Sequence, residues 1–245
     1  MIIDHGDVIF LPLGIYFKNS SALVIADIHI GFERALQKQG IQMPRSYYPD
    51  IKKLVEEYIN IIRPDVLVLA GDVKEDFGEF NFQEFFELRD FLTFLKDFNL
   101  KVEVVRGNHD NYLLPFLKRF GIEGHEEFLV LDDVFITHGH LSLEREIKES
   151  KAKKIVFGHE HPSVAIIDEV GASLKFKAIV TGEVHGKEMF IVPPFSPLKP
   201  GNDINTVEKY QLLSPIFRAS NLKTCKIHIY EEDEWFAFDL KDISQ

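Results

Sequence analysis

The sequence has almost no cysteine and fewer cationic than anionic side chains. Cys225 is the only cysteine among 245 residues, which excludes an internal disulfide and a cage of several thiolates. The 28 Lys and Arg residues stand against 39 Asp and Glu residues, and the formal net charge is −11. This balance argues against broad nonspecific attraction to nucleic acid or to an anionic membrane, and leaves open a local basic patch.

Long apolar segments are also missing. No run approaches the length of about 18 uninterrupted apolar residues that marks a membrane-spanning helix. The first residues, MIIDHGDVIF, carry acids and lack a basic stretch followed by a long apolar core, so we expect no signal peptide. We therefore expect a cytoplasmic protein without a membrane partner.

Short apolar runs alternate with amphipathic segments in the first two thirds of the chain. Residues 51–62 follow the i, i+3, i+4 spacing of a helix that ends before Pro64, and further helices are predicted at 82–98, 112–119 and 143–149. The apolar runs are rich in Val, Ile and Leu, which predicts buried strands at 22–26, 66–70, 102–105, 134–137 and 155–157. This alternation predicts an α/β fold with helices covering a sheet.

The pattern changes after His161. Strands are predicted at 164–167, 174–180, 189–192, 226–230 and 235–240, with no helix among them, and a Pro-rich loop lies at PPFSPLKPGND. We therefore predict a second, mostly antiparallel sheet. One domain over 1–245 is expected, with the chemistry-bearing segments in 22–162 and a mainly β second half in 163–245.

Each of the five apolar runs in the first part of the chain ends in a polar cluster. The clusters read ADIHIGF, AGDVKED, RGNHD, ITHGH and FGHEHP. A lone Gly-Asp is usually a turn, and a lone His-x-His usually faces solvent. Because ligands gather beyond the carboxyl ends of parallel strands, we expect all five clusters to lie at one rim of one sheet. The joint pattern indicates a metal site.

The candidate ligands are carboxylates, imidazoles and one amide oxygen. This set favours divalent ions such as Mn²⁺, Fe²⁺ or Zn²⁺ over Cu(I) or an iron–sulfur cluster. We expect Mn²⁺, with Fe²⁺, Zn²⁺ and Ni²⁺ as alternatives. His140 is an alternative to His138 within HGH. A single tetrahedral ion cannot use all of the candidates, whereas two divalent ions that share a bridging carboxylate can. The candidates are Asp27, His29, Asp72, Asn108, His138, His159 and His161.

The ordered blocks DIH, GD, GNHD, HG and GHEH resemble the calcineurin-like metallophosphoesterase superfamily over roughly 22–162. The later PPFSPLKPGNDIN and the overall layout resemble the stand-alone archaeal phosphoesterases related to the SbcD nuclease. The resemblance implies a four-layer α/β/β/α sandwich of two mixed sheets, which agrees with the two sheets predicted above.

The resemblance also implies roles for individual residues. Asp27, His29 and His161 would hold one ion, and Asn108, His138 and His159 the other, with Asp72 bridging the two. A hydroxide between the ions would be the nucleophile. His109 would protonate the leaving alkoxide, and Asp110 would orient His109.

Three functions follow as hypotheses. The first is a phosphoesterase that hydrolyses small phosphodiesters, phosphomonoesters or nucleotides. The second is an SbcD-like DNA nuclease, which the net charge of −11 does not favour. The third is a non-catalytic metal-binding scaffold, which would have no physical need for a complete ligand set. A homodimer is left open.

Several other charged residues have weaker claims to a role. Glu75 and Asp76 are expected to be solvated loop acids, and Lys199 is expected to reach a phosphate. The weaker candidates for a phosphate contact are Arg34, Arg45 and Arg106.

Overall fold

Two β-sheets stack face to face in the computed structural model of this chain, and helices cover their outer faces. The structure describes residues 1–41, 47–78, 80–167 and 171–244. Arg45 is outside the described residues.

The first sheet has seven strands in the order of the chain. The first three pairings are antiparallel and the last three are parallel. Three of these strands were predicted from their apolar runs, namely those at 22–26, 66–70 and 102–105. The strands are β1 (Ile3–His5), β2 (Val8–Leu11), β3 (Gly14–Phe17), β4 (Ala22–Ile25), β5 (Val66–Ala70), β6 (Lys101–Val105) and β7 (Glu123–His125).

The second sheet has nine strands, most of them paired antiparallel. They are β8 (Phe128–Leu131), β9 (Val134–Thr137), β10 (Lys154–Phe157), β11 (Pro162–Ile167), β12 (Ser173–Val184), β13 (Lys187–Ile191), β14 (Asn202–Asp203), β15 (Lys226–Glu231) and β16 (Glu234–Asp239). The antiparallel pairing of β12 with β11, β13 and β15 matches the expectation for the second half of the chain.

The prediction that all five ligand-bearing strands lie in one sheet is wrong. β10 pairs in parallel with β9 and β13, so β9 and β10 belong to the second sheet, while β4, β5 and β6 belong to the first. The apolar pattern of a strand is local and does not specify which strand pairs with it.

Helices cover the outer face of each sheet. α1 (Phe32–Lys38), α2 (Tyr47–Ile62), α3 (Phe82–Leu95) and α4 (Leu113–Leu117) pack on the first sheet. α5 (Glu144–Glu149), α6 (Pro215–Ala219) and α7 (Leu240–Ile243) pack on the second. The predictions missed α1, and α6 and α7 contradict the expected absence of helices after His161. These three helices are too short for a helical period to stand out in the sequence.

The alternating side chains of the central strands build separate apolar layers. Leu23 and Ile25 of β4 pack toward the helices, whereas Val24 and Ala26 pack against the second sheet, where they join Val156. A strand points successive side chains to opposite faces, so a continuous apolar run fills both layers. The architecture is the four-layer α/β/β/α sandwich of two mixed sheets that the family resemblance implied.

None of the described helices is long and apolar enough to cross a membrane. The single-domain organisation and the cytoplasmic location stay predictions.

Candidate metal centre

The seven candidate ligands lie together where strands of both sheets end at the same edge of the sandwich. β4 leads into Asp27 and His29, β5 into Asp72 and β6 into Asn108, all from the first sheet. β9 leads into His138, and β10 leads into His159 and His161, all from the second sheet. The ligand set therefore spans the interface between the two sheets.

Five of the seven candidates have a left-handed backbone conformation. The φ angles are 57° at Asp27, 54° at His29, 50° at Asp72, 63° at His159 and 50° at His161. Such a conformation is sparsely populated for residues with a Cβ, costs on the order of 1–3 kcal/mol each, and clusters at functional sites. Backbone hydrogen bonds between the turns hold it, such as those from Asp27 N to Gly71 O and from His29 N to Asp72 O.

Two glycines allow the ligand turns to approach one another closely. A Cβ at Gly158 would overlap the Asp27 carboxylate, and a Cβ at Gly107 would overlap the backbone amide and carboxylate of Asp72. These are the glycines that precede HEH and NHD in the sequence. The close approach explains why each block begins with glycine.

Asp27, His29 and His161 form the first group of candidate ligands. Nε2 of His161 lies 3.2 Å from Oδ1 of Asp27 and 3.4 Å from Nε2 of His29. Burial acts to raise the pKa of Asp27, but the neighbouring His161 and His138 outweigh it and hold that pKa below its usual range. The carboxylate is thus kept in the form that binds a cation.

Asp72, His138 and His159 form the second group, to which Asn108 adds an amide oxygen. Nε2 of His138 lies 3.1 Å from Oδ1 of Asn108 and 3.4 Å from Oδ2 of Asp72. The rings of His138 and His159 have centroids 5.0 Å apart. Burial lowers the pKa of His159 to about 4, which favours the neutral imidazole that a metal needs.

Asp72 lies between the two groups. Its Oδ2 is 3.4 Å from Nε2 of His138 and 3.9 Å from Nε2 of His29, while its Oδ1 accepts a hydrogen bond from the amide of His109. Burial opposes ionisation of Asp72, yet the surrounding histidines hold its pKa well below the usual range. One carboxylate oxygen therefore faces ligands of both groups.

The residues fit divalent metal binding. Oδ1 of Asp27 is buried and accepts no well-aligned hydrogen bond from the described residues, although His161 lies close to it, and a cation would satisfy this oxygen. Nδ1 of His138 lies 3.1 Å from the carbonyl oxygen of Ala70, and donation there leaves Nε2 free as a ligand atom. Oxygen and imidazole donors without a thiolate suit Mn²⁺, Fe²⁺, Zn²⁺ or Ni²⁺.

His138 is better placed than His140 as the ligand from the HGH segment. His138 is fully buried and faces Asp72 and Asn108, whereas His140 lies beside it with ring centroids 5.1 Å apart. Among the described residues, His140 belongs to no group of three or more whose potential ligand atoms all lie within 4.8 Å of one another. Burial lowers the pKa of His140 to about 4.

His109 lies at the open edge of the centre. Its Nδ1 contacts the carbonyl oxygen of Glu75, and its Nε2 lies 3.7 Å from Oδ2 of Asp72. Its ring also contacts that of Phe77, with centroids 3.7 Å apart and the planes tilted by 31°. His109 forms a further close group with His29 and Asp72, although each of these two also belongs to one of the groups described above. Nε2 thus faces the candidate ligands Asp72 and His29.

Asp110 does not have the contact that was predicted. Its Oδ1 accepts hydrogen bonds from the amides of Val73 and Lys74, and its Oδ2 accepts one from the amide of Gly107. The carboxylate therefore ties the GD turn to the GNHD turn, and the Glu75 carbonyl takes the place predicted for Asp110 beside His109. Burial and the adjacent Asp72 raise the pKa of Asp110 to about 7.

Glu75 is a site residue that the sequence reading missed. Its Oε2 lies 2.8 Å from Nδ1 of His29 and 2.9 Å from Nζ of Lys199. Burial acts to raise the pKa of Glu75, and His29 and Lys199 together outweigh it and hold that pKa below its usual range. Glu75 is thus not a solvated loop acid, and Lys199 pairs with it. The acidic run after GD was its only sequence signal.

Glu160, between His159 and His161, is a second missed residue. It is buried, and its carboxylate accepts hydrogen bonds from the amides of Leu213 and Ser214, at 3.1 and 2.7 Å. Burial raises its pKa. These hydrogen bonds connect the segment that contains Leu213 and Ser214 to the GHEH turn.

The other predicted charged candidates lie apart from the ligands. Arg106 bonds to Glu126 and Asn111, and Asp76 pairs with Lys38 at 3.2 Å.

The sequence model described as calcineurin-like phosphoesterase matches residues 21–186 of this chain. No curated protein matches the sequence. The crystal structure of nuclease MPE from Pseudomonas putida is similar with a TM-score of 0.66 and 18% identity, over 97% of this chain and 99% of that chain. Yfce, a phosphoesterase from E. coli, aligns over 91% of this chain and 94% of that chain at 20% identity, with a TM-score of 0.41. The similarity to MPE shows a shared fold.

Proposed function

Since this chain belongs to the calcineurin-like phosphoesterase family, we propose that it is a hydrolase that uses two divalent metal ions to cleave phosphodiester or phosphomonoester bonds. The substrates proposed are small phosphodiesters and short nucleotides. His109 is proposed to donate the proton to the leaving group.

The position of Asp72 carries the proposal of two ions. Its Oδ2 faces Nε2 of His29 on one side and Nε2 of His138 on the other, at 3.9 and 3.4 Å. A carboxylate oxygen between two imidazole groups suits a bridge between paired cations. Asp27, His161, Asn108 and His159 complete the two ligand groups proposed here.

Two ions held there would lower the pKa of a shared water and neutralise the charge that develops on phosphate. Mn²⁺ is proposed as the preferred ion, with Fe²⁺, Zn²⁺ and Ni²⁺ as alternatives. A side chain and a backbone group orient these ligands: the Glu75 carboxylate contacts Nδ1 of His29, and the carbonyl of Ala70 contacts Nδ1 of His138. Both contacts direct Nε2 toward the centre.

The general-acid role of His109 is supported by its two nitrogens. Nδ1 donates to the Glu75 carbonyl, so a proton passed to a leaving group would come from Nε2, the nitrogen that faces Asp72. A proton on Nε2 can pass to the oxygen of the leaving group as the bond to phosphorus breaks. The side chain is 16% exposed, which leaves access for a substrate.

A DNA nuclease is the second candidate. It is supported by the likeness of the fold to nuclease MPE, and the net charge of −11 does not favour it. Lys and Arg contacts to phosphate supply most of the nonspecific affinity for long nucleic acid, and an acidic chain supplies few of them.

Hydrolysis assays with purified protein in Mn²⁺ test these proposals against one another. Turnover of an aryl phosphodiester would be compared with cleavage of single-stranded and duplex DNA at physiological salt. We expect the small diester and short oligonucleotides to be cleaved more readily than long duplex DNA. Efficient duplex degradation without an ATPase partner would favour the nuclease, and bound metal without any turnover would favour a non-catalytic scaffold.

A further inference from the structure

Two adjoining cavities extend from the metal centre along α1 and α3. The inner one, about 270 Å³, is lined by His109, Glu75 and Phe77 among others. The outer one, about 590 Å³, lies along Phe82 and Phe86. Lys38 and Asn81 line both, so the two cavities are adjacent on the surface. We call the two together the aromatic groove.

The aromatic groove presents phenyl rings to solvent. Phe77 is 55% exposed, Phe82 81% and Phe86 45%. Phe77 rests one face on the ring of His109, at an interplanar angle of 31°, and Phe82 leans on Phe86 with centroids 4.5 Å apart. Flat rings held by neighbours in this way form ready surfaces for stacking another planar ring.

The inner end of the groove is next to the proposed proton donor. A general acid must lie within hydrogen-bond reach of the leaving oxygen. The group attached to that oxygen therefore extends past His109, and the cavity that begins there is lined by Phe77. The groove is thus on the leaving-group side of the proposed reaction.

Cations accompany the rings. Arg34 lines the outer cavity and Lys38 lines both, while Asp76 and Glu87 supply acids. Rings combined with a few cations match the way in which single-stranded nucleic acid is bound, by stacking of bases with limited phosphate contact. The mixed charge suits one or two bases and disfavours a long run of phosphates. A duplex, whose bases are stacked within it, offers no free ring to these phenyl groups.

We propose that the aromatic groove stacks the one or two nucleobases on the leaving side of the scissile phosphate, with Phe77 contacting the first base and Phe82 the second. The substrate class of the site is then a short single-stranded oligonucleotide. This inference rests on the proposed phosphoesterase function, because it takes the position of the leaving group from the role of His109.

Hydrolysis of matched trinucleotides tests the proposal. Each substrate has the same scissile phosphate and the same leaving oxygen, with either normal bases or abasic sugars on the leaving side. Stacking contributes on the order of 5- to 100-fold per base, so kcat/KM should favour the base-bearing substrate by that factor. Phe77→Leu and Phe82→Ser should each reduce this ratio, and Phe82→Tyr should preserve it. Phe236→Ser, which alters an exposed ring on β16 outside the groove, should leave turnover of both substrates unchanged.

Binding gives a readout that does not depend on turnover. Trinucleotides with 2-aminopurine on one side of the phosphate or the other would be titrated with the protein. We expect binding to quench the fluorescence of 2-aminopurine on the leaving side only. Phe82→Ser should weaken this quenching, and the control Phe236→Ser should retain it. This result would support the groove even if no cleavage occurs. Phe236 is a suitable control because it is 42% exposed and lies on β16.

The two proposals fail in different ways. Cleavage of both substrates at equal kcat/KM, without quenching on either side, overturns the groove and leaves the phosphoesterase function standing. Quenching without cleavage of any phosphoester in the presence of metal overturns the function and keeps the groove. If Phe82→Ser halves the molecular mass of the protein measured in solution and leaves the preference for base-bearing substrates unchanged, the rings form a contact between subunits and the inference is wrong.

Discussion

Nδ1 of His29 lies 2.8 Å from Oε2 of Glu75, so the carboxylate turns Nε2 of that imidazole toward His161 and Asp72. Carboxylates that contact the outer nitrogen of a ligand histidine set its tautomer and raise its basicity. Lys199 contacts the same carboxylate oxygen, at 2.9 Å, and thereby joins the Pro-rich loop to this arrangement. A residue that binds no metal in the proposed scheme can thus affect metal affinity.

We expect Glu75→Leu to weaken binding of the ion held by His29 by about 10- to 100-fold, since the orienting contact is lost. Glu75→Gln, whose amide oxygen can still contact Nδ1, should have a smaller effect. Metal titration by calorimetry would measure both. Asp76→Asn is the matched control, because Asp76 is the adjacent acid and pairs with Lys38. Unchanged affinity in Glu75→Leu would contradict the orienting role.

Asp72→Ala should abolish turnover and weaken binding of both ions, because Asp72 is proposed as the shared ligand. The metal content of the purified variant, measured by mass spectrometry, checks this. Asp65→Ala removes an exposed carboxylate away from the centre and should leave metal content and turnover unchanged. Two tightly bound ions in Asp72→Ala would overturn the ligand scheme.

His109→Ala should lower turnover by roughly 10²- to 10⁴-fold while the metal content stays near that of the unmodified protein. The loss should be largest for substrates with poor leaving groups, since these depend most on protonation. Rates measured over a series of aryl and alkyl phosphodiesters would test the trend. An equal loss across the series would exclude the proton-donor role. His140→Ala, which removes the imidazole beside His138, is the variant for comparison. Its effect on the rate should not depend on the leaving group.

Folding stability should fall in acid because of His228. Burial lowers the pKa of this side chain to about 4, whereas an unfolded histidine titrates near about 6.5. The folded state therefore holds a neutral imidazole, and stability is full above about pH 6.5 and declines as the pH falls toward 4. Between pH 7.5 and 4.5, the unmodified protein should lose up to roughly 2–3 kcal/mol more of its free energy of unfolding than His228→Gln loses.

Urea unfolding at the two pH values would measure this difference. His185→Asn removes a histidine that lies on the turn between β12 and β13, and should follow the unmodified protein. If His228→Gln and the unmodified protein lose equal stability, then His228 is not responsible for acid sensitivity.

The sequence by itself determined the central strands and the chemical types of the ligands. Apolar, β-branched runs can be recognised as strands without knowing which strand pairs with them. β5 and β9 therefore begin and end where predicted, at Val66–Ala70 and Val134–Thr137. The polar residues that follow each run, such as Asp27 after β4, lie at the strand ends because the chain has to leave the sheet there. The blocks around them were also sufficient to identify the family.

Only the tertiary structure decided which strands share a sheet and which side chains meet. β10 pairs with β13, 30 or more residues away in the chain, and no local pattern specifies such a pairing. The contact of Glu75 with His29 and the use of Asp110 by backbone amides depend on how separate turns approach one another. So do the left-handed conformations of the ligand turns, which persist because hydrogen bonds from neighbouring turns hold them. Composition and spacing describe residues that are close in sequence, whereas these contacts join residues that are distant in sequence and meet only in the folded structure.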